Sequence, residues 1–96
     1  MKILAIEKVV ANITEEQIKP HLKEEAKCVW ELHKNEILRE IYFTTTDNRA
    51  VLILECTDEL SASSYLETLP LVKEKLIQFE ILPLKCYSGF ERLFEK

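Results

Sequence analysis

Two stretches limit what this chain can fold into more than any other feature. AVLILEC, running from Ala50 to Cys56, holds one charge in seven residues, and KILAI, from Lys2 to Ile6, holds one in five. Successive strand residues face opposite sides of a sheet, so a strand with one wet face alternates apolar with polar residues. These two do not. Both faces of the sheet that they build need a cover.

The remaining elements follow in order. Lys2 to Val10 reads as the first strand, with Ile3, Ala5 and Val9 on one parity and Leu4, Ile6 and Val10 on the other. Thr14 with Gln17 fits a capping box, and Glu15 and Glu16 suit the positive end of a helix. Ile18, Leu22, Ala26, Val29 and Trp30 then recur at helical spacing, which predicts a helix ending near Asn35. Pro20 lacks an amide hydrogen, so a short turn at Glu15 and a restart with Pro20 in the first turn are expected. Ile37 to Thr44 and Ala50 to Cys56 flank a polar break holding Asp47 and Asn48, the pattern of an antiparallel hairpin. Asp58 caps a second helix carrying Leu60, Tyr65, Leu66 and Leu69, which Pro70 interrupts before the LVKEKL turn. Ile77 to Lys85 is the last strand, and Pro83 marks an edge position or the strand's end.

The order strand, helix, strand, strand, helix, strand is the ferredoxin-like βαββαβ plan: α+β, with a four-stranded antiparallel sheet and two helices on one face. Residues 1–96 are expected to form one domain. Two helices cover one face only. The simplest cover for the other is the same face of a second copy, which predicts a homodimer closed as a dimeric α+β barrel and open to higher homo-oligomers. Left bare, that face would exceed the few hundred Å² of apolar patch a monomer tolerates. The tail, residues 86–96, holds Tyr87, Phe90, Leu93 and Phe94 and is expected to pack on the dimer, across its seam or over a pocket mouth.

Composition removes several classes of function. A net charge of -4 and a pI near 5.2 argue against a general nucleic-acid binder. The apolar run in MKILAIEKVV is too short for a signal peptide, and nothing approaches the ~20 apolar residues of a membrane span, so no membrane association and a cytoplasmic location are expected. Cys28, Cys56 and Cys86 are odd in number and far apart, which suits reduced thiols and neither a disulfide framework nor a zinc knuckle. A single glycine, Gly89, leaves no phosphate-binding loop, and GxSxG and HExxH are missing, so no cofactor and no metal are expected.

Candidates for chemistry are few. His21 and Cys28 lie seven apart on the first helix, nearly on one face, with Glu24 and Glu25 flanking the line; a base near neutral pH suits a proton shift, and a solvated histidine at a helix start is the plainer reading. On the hairpin, Glu40 as acid or base with Tyr42 as hydrogen-bond donor is the catalytic choice. Glu7, Glu55 and Glu80 are charges embedded in apolar runs, which burial would turn into usable acids or bases, or which pair with Arg39, Lys8 or Lys85 at strand ends. Trp30, Phe43, Tyr65, Phe79 and Tyr87 could line an aromatic pocket, and at these spacings the core is the default reading.

The pieces HLKEEAKCVWEL, ILREIYF, AVLILECTD, LPLV and FEILPL, in this order and spacing, resemble the muconolactone isomerase family of the dimeric α+β barrel superfamily over His21 to Leu84, most specifically in the LPLV turn. The resemblance implies a cofactor-free dimer with a ligand pocket between the sheet and its helices or partner, and an activity that shifts a double bond in a small lactone. Arg39 stands where the family has an arginine; Leu38, Glu40 and Tyr42 fall where it has tryptophan, histidine and tryptophan. Arg39 and Leu38, with the embedded charges Glu7 and Glu55, are the expected substrate contacts, and Glu40 and Tyr42, with His21 of the first helix, the catalytic candidates. Lys19, Pro20, His21 and Leu22 also resemble the first helix start of YCII-like proteins, whose histidine pairs with an aspartate where this chain has Leu69.

Two functions follow: an isomerase-like enzyme moving a proton on a small cyclic or aromatic-derived molecule, or a non-catalytic protein of the same fold that binds a small ligand or assembles. Polar groups converging in one cavity would favour the enzyme; an apolar or filled interior would favour the second.

Overall fold

A computed structural model of the chain describes residues 1–95. The first helical segment breaks where Pro20 requires. Thr14 closes its start from both sides: its amide donates to Gln17 Oε1 at 2.8 Å, and its hydroxyl accepts the Gln17 amide at 3.4 Å. The helix α1, Glu15–Ile18, tightens into a 3-10 turn over Lys19–His21 and restarts as α2, Leu22–Lys34. Asn35 caps α2, and Glu36 beyond it takes a left-handed φ of 63°.

Four strands, β1 Lys2–Lys8, β2 Leu38–Phe43, β3 Ala50–Glu55 and β4 Gln78–Pro83, form one antiparallel sheet in the order β2-β3-β1-β4. Asp58 caps α3, Glu59–Leu66, by accepting the Ser61 amide at 2.7 Å, and Pro70 opens the short α4, Pro70–Lys73. β4 is an edge strand, the place where Pro83 costs no ladder bond. The fold is the ferredoxin-like α+β fold that the element order predicts.

The register assigns every strand side chain to a face. Ile3 and Ala5 of β1, Leu52 and Leu54 of β3, and Phe79 and Ile81 of β4 meet Leu32 of α2 and Ala62, Leu66 and Leu69 of the α3 region in the core. The opposite face carries Leu4, Ile6, Val51 and Ile53, half-buried, with Tyr42 and Leu82 beside them, and no element of the described chain lies over it. Strict alternation along β2 fails. The pairing steps from Leu38↔Leu54 to Glu40↔Ile53, so Arg39 is an extra, bulged residue, and Leu38 joins Ile41 and Phe43 on the helix face while Glu40 and Tyr42 turn to the open one.

Two further expectations are corrected. Val9 and Val10 lie past the end of β1, with Val9 78% exposed, because the turn at Ala11 and Asn12 draws the chain off the sheet. Of the five aromatics for which the core is the default reading only Phe79 packs there: Trp30 on α2, Tyr65 on α3, Phe43 at the end of the edge strand β2 and Tyr87 in the tail beyond β4 are exposed. Cys56 is buried, Cys28 half-buried and Cys86 exposed, all as free thiols.

Candidate functional site

The two ends of α2 sit differently on the sheet. Leu32 near its C-terminus is 7% exposed and touches the core, whereas Leu22 at its N-terminus is half exposed. Under the first turns of α2 the layers enclose a cavity of about 440 Å³, within the range of pockets that hold small molecules. Its walls are Ile18, Leu22, Ala26 and Val29 from the helices, Ile41, Phe43, Ala50, Leu52 and Phe79 from the strands, and Leu69, Leu71 and Ile77 around the LPLV turn. Three polar residues line it: Glu7, Glu25 and Asn48.

Each carboxylate is held by a main-chain amide far away in sequence. Glu7 points to the helix face, and where the β1–β3 ladder ends at Ile6 and Val51 its Oε1 accepts the next amide, Ala50 N–H, at 3.0 Å. Glu25 Oε1 accepts the Leu71 amide at 2.9 Å. That amide lies in the first turn of α4 and has no partner within the helix, so Glu25 fixes the LPLV turn as well as lining the cavity. Among the described residues neither carboxylate forms an ion pair, and the second oxygen of each takes no protein hydrogen bond.

Burial pushes the Glu25 carboxyl above its ordinary value of 4.5; the Leu71 amide opposes this, the Glu7 charge adds to it, and the His21 charge opposes it. Asn48 occupies the left-handed region at φ 57° in the β2–β3 turn, which is pinned by the Thr44 hydroxyl accepting the Arg49 amide at 2.8 Å and donating to Asp47 Oδ1.

The residues singled out from sequence fall in separate places. Glu7 lines the cavity, and half-buried His21 stands just outside its lining at the start of α2, near enough for its charge to reach Glu25. Glu40 and Tyr42 meet each other on the open sheet face, where the Tyr42 hydroxyl donates to Glu40 Oε1 at 2.6 Å and this bond raises the tyrosine pKa. Glu55 lies on that face too, bound to the N-terminal ammonium at 2.8 Å, which lowers its pKa. Leu38 is 1% exposed in the core, and Arg39 bends back so that its Nε donates to the Glu36 carbonyl at 2.7 Å. Glu25 was visible from sequence only as a neighbour of the His21–Cys28 line, and Asn48 only as a turn residue. The signal that ties Glu25 to a site is the LPLV turn, whose free amide it accepts.

No family model matches this sequence, and no curated protein matches it. Among solved structures the chain is similar to 5-chloro-2-hydroxyhydroquinone dehydrochlorinase from Burkholderia phenoliruptrix AC1100 in complex with 2,5-dihydroxybenzoquinone, with a TM-score of 0.69 over 93% of this chain and 98% of that one at 17% identity. At that identity the likeness is one of fold, the ferredoxin-like α+β fold.

Proposed function

We propose that this chain is a cytoplasmic, muconolactone isomerase-like enzyme that moves a proton on a small cyclic or aromatic-derived compound with its own side chains and no cofactor. The observation behind this reading is the meeting of Glu7 and Glu25 in one apolar cavity. A carboxyl with raised pKa is a competent base and then a competent acid: Glu25 removes a proton from a ring carbon next to a carbonyl and returns it to another carbon, so one C–H bond breaks, another forms and the double bond moves. His21 near Glu25 steadies its charged form. The structural neighbour was solved with a small oxygenated ring compound, which agrees in substrate class.

The test is hydrogen exchange in D2O, followed by proton NMR across a panel of cyclic enones and lactones. Wild type is expected to accelerate exchange in at least one compound, and Glu25→Gln to slow it ~10²–10⁴-fold, the usual worth of a general acid–base group. Equal rates in wild type and in the Glu7→Gln/Glu25→Gln double variant would instead leave a non-catalytic ligand-binding protein.

The 2.6 Å bond between Tyr42 and Glu40 favours a second site on the open sheet face, with Glu40 as acid or base, Tyr42 as donor, and Arg39 and Glu55 at its margin. It requires the homodimer, whose two open faces would enclose an interior between the sheets. Glu40→Gln without effect on turnover would remove it.

A further inference from the structure

Among the residues lining the cavity beneath α2 there are two carboxylates and one amide but no lysine, arginine or histidine. Each carboxylate accepts one backbone N–H, which does not neutralise it: that of Ala50 for Glu7 and that of Leu71 for Glu25. The rest of the wall is aliphatic and aromatic, so it offers a ring apolar contact and no cation of its own, the nearest histidine, His21, standing outside the lining and facing Glu25. We infer that this cavity selects ring compounds that carry hydroxyl donors and no negative charge, and rejects ring carboxylates. The inference rests on the reading of the cavity as the ligand site and narrows it to a substrate class.

Each part of the selection has a physical source. A hydroxyl donates to the second oxygen of Glu7 or Glu25, neither of which has a protein partner among the described residues, and a charged acceptor makes that bond stronger than one to a neutral acceptor. A carboxylate in the same place meets like charge in a partly dehydrated space and leaves its own oxygens without donors apart from the Asn48 amide. A lactone bearing a free carboxylate is rejected on the same grounds, whereas a hydroxylated ring is accepted.

Three probes of one ring size separate the outcomes: benzyl alcohol, toluene and benzoate, titrated into the intact protein at pH 7 and followed by ligand-observed NMR. Benzyl alcohol is expected to bind at least ~10-fold more tightly than benzoate, with toluene between them. Glu7→Gln/Glu25→Gln should bring benzoate to within a few-fold of benzyl alcohol. Leu22→Lys, at a half-exposed position that tolerates a charge, should strengthen benzoate alone and serves if the double variant does not fold. Benzoate binding as tightly as benzyl alcohol to wild type would overturn the charge selection and leave the cavity as a ligand site. Binding of none of the three would overturn both.

Discussion

Glu25 Oε1 accepts the Leu71 amide at 2.9 Å across 46 residues of sequence, joining the first turns of α2 to the start of α4 at the rim of the cavity. One bond thus holds the LPLV turn in place and keeps a carboxylate in an apolar wall.

That bond sets a pH signature. Burial raises the Glu25 pKa, so its contribution to stability is fully present below about 4.5 and is lost as pH rises through its folded value. Glu25→Gln still offers an oxygen to Leu71 and does not titrate. Melting curves by circular dichroism should therefore show wild type losing ground to Glu25→Gln as pH rises above about 4.5. Parallel curves would show that Glu25 is not held in a perturbed state. Glu25→Ala, which orphans the amide, should cost about 1–2 kcal/mol.

The bare sheet face predicts a dimer. Static light scattering at micromolar concentration is expected to give a mass twice the 11.3 kDa of the protomer. Ile6→Glu, in the middle of that face on the central strand β1, should return it to protomer mass with the fold retained, as judged by far-UV circular dichroism. A monomer in wild type would mean that the half-buried row of Leu4, Ile6, Val51 and Ile53 stays wet.

The tail is tested by deletion. Tyr87 and Phe90 stack edge-on with ring centres 4.9 Å apart, yet Tyr87, Phe90, Leu93 and Phe94 are all at least 66% exposed, and the chain reaches 61 Å along its long axis. Such residues gain by burial against another protomer. Stopping the chain after Lys85 should weaken association at least ~10-fold in sedimentation analysis, and an unchanged dimer would assign the tail another surface.

Glu36 and Lys75 hold left-handed φ angles of 63° and 61° just past the ends of α2 and α4, where glycine is the usual residue. Glu36→Gly and Lys75→Gly should each stabilise the protein by roughly 0.5–1 kcal/mol, relief of strain exceeding the entropy that glycine adds to the unfolded chain. A loss of stability in urea unfolding would show that the side chains at these turns do more than tolerate the angle.

Local chemistry in the sequence was enough for the fold. The Thr14–Gln17 box, Pro20, Asp58 and Pro70 act within a few residues of themselves, so the helix starts and the break between α1 and α2 could be read directly, and the two-sided apolar strands foretold an open sheet face. The bulge at Arg39 could not be read, because a register shift is settled between two strands, and it moved Leu38 into the core while leaving Glu40 and Tyr42 outside. The cavity was equally out of reach. Glu7 lies 18 positions from Glu25 and belongs to another element; only packing brings their charges into range of each other, and only burial raises the pKa of Glu25.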